Sequence, residues 1–299
     1  SHGRFVPEYF ESEKTNLLEA IRSLVNDKRD WADSRLLRTM CTGEPYSIPR
    51  LGDEETVDKL QALRLYDQYR DLITTAPLEI IYSGSAELDR VRQALAAAFA
   101  TLPREEVRSI ADAVPHVCRE SVQTVEDEME VTQGKLSMGF SCGSDDMPAL
   151  LLGNTLFGGS SNSKLFLNVR EKLSLCYYAS SMYHRQKGII TVSSGIEFQN
   201  YQRAYDEILS QLAAVQNGEL EEWELAGARS TLLNSYATVG DSQGKLENFY
   251  LGQAATGRSE TPADLAQAVM EVSAERICRA MSTVKLDTVY FLKGKEAQA

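Results

Sequence analysis

Apolar residues fall at helical spacing almost from the start of the chain. Phe10, Leu17, Leu18, Ile21 and Val25 make one stripe between residues 7 and 26, and Asn26-Asp27 closes it. The pattern then breaks into "CTGEPYSIPRLGDEETVDKL", a loop punctuated by Pro and Gly that leads into a second helix running through Tyr69. After Pro77 the text "LEIIYSG" is short, apolar and β-branched, and Gly84 stops it, which predicts a buried strand. "SAELDRVRQALAAAFATLP" predicts an Ala-rich helix capped by Ser85 and halted by Pro103. Between Arg104 and Glu130 large apolar residues thin out and charge rises, as in a connection.

From Val131 the period changes. "TQGKLSMGFSCG" alternates as a strand, and "MPALLLGNTLFGG" reads as an apolar helix ended by paired glycines. "SSNS" offers N-caps to a helix whose stripe is Leu165, Phe166, Val169 and Leu173. "LCYYASSMYHR" and "GIITVSSGIE" predict two strands joined by a turn at residues 186 to 188. "NYQRAYDEILSQLAAVQNG" is amphipathic, with Tyr205, Ile208, Leu212 and Val215 inward and Gly218 as C-cap; more helix follows through Tyr250. The chain ends on a helix, "DLAQAVMEVSAERICRAMS", and a strand, "DTVYFLKG". That order repeats the helix before Pro77 and "LEIIYSG", which suggests an internal duplication. The expected organisation is α+β, with residues 1–101 as the remainder of a first half, 102–130 as the connection and 131–299 as a second half.

A chain of 299 residues can bury more than one core. Its 43% apolar and 25% charged content is that of a globular protein, and no apolar run approaches the ~20 residues of a spanning helix, so membrane insertion is not expected. With 31 basic against 43 acidic residues the net charge is −12, which removes any general attraction to nucleic acid. Cys41, Cys118, Cys142, Cys176 and Cys278 are odd in number and scattered, with no CxxC pair, which fits a reducing cytoplasm. The opening "SHGRF" lacks Met and leads straight into a helix, so the expectation is a fragment whose natural N-terminus is missing.

Chemistry concentrates in "FGGSSNSKLFLNVREKLSLCYY". The paired glycines turn the chain, Ser and Asn cap the helix, and the span from Arg170 to Tyr177 joins the helix end to the strand start. A guanidinium fork beside a phenol suits gripping a carbonyl or carboxylate. Periodicity alone favours the plainer reading: Arg170 and Lys172 complement the helix dipole, and Tyr177 is a half-buried strand aromatic.

The stretch "LFGGSSNSKLFLNVREKLSLCYYASS" closely resembles the second-domain signature of the M16 (insulinase or mitochondrial processing peptidase) zinc metallopeptidases. There, a Gly-Gly turn is followed by Ser, a basic residue, Leu-Phe, Arg-Glu-Lys and Leu-x-Tyr. "FESEKTNLLEAIRSLVNDK", "EPYSIPRLGDEETVDKL", "GIITVSSGIE" and "NGELEEWELAGARSTLLNS" fall in the family's order and spacing, so the resemblance covers nearly the whole chain. It implies two duplicated halves, each a mixed, mostly antiparallel sheet with helices on one face, the first incomplete here, around a chamber that takes extended peptides by strand addition. In active members the first half binds zinc through His-x-x-Glu-His and a distant Glu. The second half offers an Arg and a Tyr to the substrate carbonyl, matched here by Arg170 and Tyr177.

Zinc catalysis of this kind needs two His one turn apart on a helix with a carboxylate base between them. This chain has only His2, His116 and His184, none near another, and solvated or structural roles are expected for all three. The family's two glutamates stand seven apart, nearly two turns, on one helix face. Glu13 matches the first, but Ala20 occupies the second and cannot ligate; Glu19 lies ~100° round the helix and is expected to face solvent. No metal is expected in this chain. The resemblance therefore implies a non-catalytic subunit, similar to the YmfF-type bacterial members, whose zinc sits in an HxxEH-bearing partner. Two alternatives stay open: a peptide-binding scaffold with no proteolytic role, and a fragment of an active zinc peptidase. An incomplete first half would also expose a strand edge and lead to self-association.

Overall fold

The computed structural model describes residues 4–109 and 114–295. Helices α1 (Pro7–Ser23), α2 (Lys28–Met40), α3 (Glu54–Asp58), α4 (Ala62–Thr75) and α5 (Leu88–Phe99) precede strands β1 (Gln123–Met129) and β2 (Gly134–Ser141). Helix α6 (Met147–Asn154) continues into two π-helical segments, Thr155–Gly159 and Leu165–Lys172. The hairpin β3 (Cys176–His184) and β4 (Ile189–Ile196) follows, then α7 (Tyr201–Gln216), α8 (Glu222–Ala237), α9 (Gln243–Ala255), α10 (Pro262–Met270), α11 (Ala274–Met281) and β5 (Lys285–Gly294). The single helix read in "DLAQAVMEVSAERICRAMS" is two, because the Ser273 hydroxyl accepts from the Arg276 amide and starts a new helix there.

The described residues group into two units. One takes its residues from 24–50, 113–238 and 260–299, and the other from 1–23, 51–112 and 239–259. Each unit thus takes in one helix, α2 or α9, from the stretch that otherwise builds the other.

The first of these units is built on a five-stranded mixed sheet of order β1-β5-β2-β4-β3, parallel only between β1 and β5. Leu136, Met138 and Phe140 of β2, Ile190, Val192 and Ile196 of β4, and Val289 and Phe291 of β5 point to one side, where α6, α7, α8, α10 and α11 close a continuous core. The expected layer of helices on one face is therefore present. The opposite face is also covered: α2 lies on it, with Ala32 and Leu36 packed against Tyr290 and Leu292, and Met40 and Cys41 against Ile189. Period-two alternation makes that face small and polar along β2, so Ser137 meets Asp33 and Gly139 lets Met40 approach where a Cβ would lie 2.6 Å from its sulfur. Strand β1 lies in the stretch read as a connection; its sequence "QTVEDEM" carries just Val125 and Met129 as apolar residues around three acidic ones, which is what hid it.

In the other unit α1 packs on α3, with Phe10 and Val57 buried and Arg22 paired to Glu54 at 2.6 Å. Phe5 meets Tyr66 edge to face at 5.5 Å, and Arg108 forks onto Asp71 at 2.8 and 2.9 Å. The strand expected at "LEIIYSG" does not form. Leu78, Ile80, Ile81 and Tyr82 run between 38% and 50% exposed, because no strand among the described residues offers them an edge to bond.

All five cysteines are free, and among the described residues no helix is long and apolar enough to cross a membrane.

Candidate functional site

The glycine pair, the short helix and the edge strand β3 converge on one place. Gly158 is required by close approach rather than by backbone freedom: a Cβ there would lie 2.7 Å from Leu165 and 2.8 Å from the Ser181 amide of β3. The Ser163 hydroxyl accepts from the Phe166 amide at 3.4 Å and opens the Leu165–Lys172 helix, whose Leu165 and Val169 are fully buried. At its far end the chain turns through Ser174, which holds φ +50°, outside the region ordinary L-residues favour. The Ser174 amide bonds the Arg170 carbonyl at 3.1 Å and the Leu175 amide bonds the Val169 carbonyl at 3.0 Å, so the last carbonyls of the helix are satisfied as β3 begins.

Strand β3 begins with a bulge. Cys176 pairs with Ile196 and Tyr178 with Gly195, which leaves Tyr177 out of the ladder, 51% exposed, with its hydroxyl donating to the Glu197 carboxylate. That hydrogen bond, with the negative charge of Glu197, holds the phenol above its usual ionisation range. Arg170 lies with its guanidinium 4.7 Å from the Phe166 ring centre and its Nε 3.6 Å from Glu171. Arg170 and Tyr177, read from the sequence as a pair, line one cleft of about 400 Å³ together with Glu171, Cys176 and Glu197. Cys176 is no nucleophile there, since burial pushes its thiol up to about 11.

Residues 59–232, more than half of the chain, match the family model described as the peptidase M16 inactive domain. The chain belongs to the peptidase M16 family. It is 35% identical over 298 residues to the probable inactive metalloprotease YmfF of Bacillus subtilis, across 98% of this chain and 69% of that protein. A conserved protein from Enterococcus faecalis superposes with a TM-score of 0.87 at 25% identity, over 100% of this chain and 71% of the other. The peptidase M16 inactive domain from Pseudomonas fluorescens shares the fold with a TM-score of 0.81 at 16% identity, over 99% of this chain and 73% of that one.

Within this M16 chain the zinc-ligand positions do not fit a metal. Glu13 and Glu19 are both exposed on α1, Ala20 stands at the second glutamate position, and the 299 residues contain no His-x-x-Glu-His. His2 lies outside the described residues. His184 is bonded through Nδ1 to Tyr46 at 2.8 Å and through Nε2 to Thr191 at 3.0 Å, and burial lowers its proton affinity.

His116 lies in a buried cluster whose other members the sequence did not disclose. It is buried, with Nδ1 2.8 Å from Glu44 and Nε2 3.2 Å from Asp287, and Cys41 stands beside it. Cys41, Glu44 and His116 are close enough together to suggest a metal site. They do not fit one. Both ring nitrogens already face carboxylate oxygens, and burial holds the Cys41 thiol up at about 11. The buried Lys187 ammonium, paired with Glu44 and 2.7 Å from the Val114 carbonyl, already supplies the cation. The cluster ties four segments together, and only a single lone His in a charged stretch marked it in the sequence.

Lys164, the basic residue of the signature, does not line the cleft. Its ammonium meets both oxygens of Glu224, and Glu224 in turn accepts from the Glu221 amide at 2.9 Å and so caps α8.

Proposed function

We propose that this chain is a non-catalytic M16 subunit whose cleft at Arg170 and Tyr177 grips an extended peptide for a partner that carries the His-x-x-Glu-His helix and its zinc. The observation that carries the reading is the meeting of those two donors in one cleft at the start of an edge strand. The guanidinium fork and the phenol would both donate to one substrate carbonyl, while the main chain of the peptide aligns with β3. The chain has no His-x-x-Glu-His to hold a catalytic zinc, so bond cleavage would fall to the partner. The name of the relative YmfF and the absence of a second glutamate at Ala20 support a catalytically silent role.

The reading carries a domain organisation with it: residues 1–101 as the remainder of a first half, 102–130 as the connection and 131–299 as a second half. The reciprocal placement of α2 and α9 supports duplicated halves, because two copies of one design would each lend the equivalent helix. A cytoplasmic location agrees with five free cysteines.

The test is co-expression with an HxxEH-bearing M16 protein and measurement of peptide cleavage. Arg170→Ala, with folding intact, should lower cleavage by the pair about tenfold or more, and metal analysis should find zinc with the partner. Cleavage unchanged by Arg170→Ala would leave a scaffold without proteolytic role as the better reading. Stoichiometric zinc on this chain would point instead to an active peptidase fragment.

A further inference from the structure

Arg170 is held at both ends. Its backbone carbonyl accepts from the Ser174 amide at 3.1 Å, which fixes the residue against the turn leading into β3. Its guanidinium lies over the ring of Phe166, 4.7 Å from the ring centre. The two residues stand four apart on the Leu165–Lys172 helix, a spacing that brings side chains onto one face. The apolar stripe predicts Phe166 to be inward with its neighbours. Leu165 and Val169 are indeed fully buried, but Phe166 is only half-buried, and the face of its ring is taken by Arg170.

An aromatic face attracts a guanidinium through the negative potential above the ring, and it does so without engaging any N–H of the fork. A carboxylate would engage them. The nearest one, Glu171, is exposed and stands 3.6 Å from Nε, beyond hydrogen-bond length, and among the described residues the guanidinium makes no hydrogen bond. The ring therefore sets the direction of the fork while its donors stay uncommitted. Phe166 is not one of the residues that line the cleft, so any effect it has on a peptide there passes through Arg170.

We propose that Phe166 is the positioning residue for Arg170, its ring holding the guanidinium oriented toward the peptide carbonyl with the donors uncommitted. This rests on the cleft being a peptide grip. An arginine side chain has many rotamers, and immobilising it on binding weakens affinity. A ring that already selects one orientation removes part of that loss. For a stack as exposed as this one, with the Arg170 side chain 40% exposed, the effect is roughly twofold to fivefold in binding.

The experiment measures binding of a fluorescein-labelled decapeptide of alternating serine and valine to the whole chain by anisotropy. Phe166→Leu, which keeps an apolar side chain on the helix, should weaken binding roughly twofold to fivefold, and Phe166→Tyr, which keeps the ring, should bind as wild type does. Pentafluorophenylalanine in place of Phe166 keeps the shape but removes the negative potential of the ring face, so it should weaken binding as Leu does, and it reads the stack even if the Leu variant folds poorly. In an Arg170→Ala background, itself weaker, Phe166→Leu should change nothing further, because the ring acts only through the guanidinium. A loss from Phe166→Leu that persists in full without Arg170, or a pentafluorophenylalanine protein that binds as wild type does, would overturn the assignment and make the ring ordinary packing. A peptide that binds wild type and Arg170→Ala alike, or binds neither, would remove the grip itself, and the positioning role with it.

Discussion

Lys164 holds both carboxylate oxygens of Glu224 at 3.0 Å, with the two side chains only 9% and 7% exposed. The pair fastens the short helix that carries Arg170 to the start of α8. Removing one partner strands the other charge in the interior, a loss of about 3 to 5 kcal/mol. Lys164→Met should therefore cost that much in urea unfolding. Lys164→Met combined with Glu224→Gln should recover part of it, because no unpaired charge remains; a double variant as unstable as the single one would refute the account.

Asp33 sits under α2 with its carboxylate accepting from the Ser137 hydroxyl at 2.7 Å, and burial raises its pKa above the usual 3.8 although Ser137 and Ser193 oppose the shift. The folded protein therefore binds this proton more tightly than the unfolded chain does. Its contribution to stability is present below pH 3.8 and is lost as pH rises through the folded value. Asp33→Asn should stabilise the protein at pH 7 relative to wild type, with the gain shrinking in acid. Urea midpoints for both proteins from pH 3 to pH 7 would check it.

Glu44 behaves with the opposite sign. Burial works against its charge, but Lys187 and His116 prevail and hold its carboxyl below the usual range. That contribution is present above the ordinary glutamate value and is lost as pH falls through the folded one. Glu44→Gln should destabilise at pH 7 by about 1 to 3 kcal/mol, the cost of leaving a buried partner unsatisfied, and should approach wild type in acid. Amide exchange at the C-terminal end of α2 should quicken in the variant.

Gly158 faces the backbone of β3 so closely that an added methyl must displace either Leu165 or Ser181. Gly158→Ala should cost about 1 to 3 kcal/mol through overpacking. It should also weaken peptide binding, because it shifts the strand that begins at Cys176. A variant with wild-type thermal stability would show that the turn has slack.

Leu78, Ile80, Ile81 and Tyr82 present a run of exposed apolar side chains. Such a patch invites association between chains. Sedimentation of the 299-residue chain should show concentration-dependent association, and Ile80→Lys with Ile81→Lys should reduce it. A monomer at all concentrations would refute this.

Local patterns made much of the fold readable. Alternation in "TQGKLSMGFSCG" and the β-branched run of "GIITVSSGIE" announced β2 and β4, which are buried on both faces, and the 3.6-residue stripe announced α1 and α7. The strand at "LEIIYSG" was overread: composition can make a segment fit for a sheet, but only a neighbouring strand can make it one. Arg170 and Tyr177 lie seven residues apart in one contiguous stretch, so local geometry, the turn at Ser174 and the bulge at Tyr177, brings both to one cleft.

Residues joined across long loops were not legible. His116 stands 72 positions from Glu44 and 171 from Asp287, and no local period connects them. Glu197 escaped notice beside Tyr177 because their contact depends on a bulge and on the β3–β4 register, which place a strand-end carboxylate over a phenol twenty residues earlier. Side-chain spacing along one element follows from chain geometry and can be written into a short run of letters. Which elements become neighbours follows from how the whole chain buries its apolar faces, so the surroundings of Glu197, Lys164 and His116 were settled only when the sheet and its two helical coverings came together.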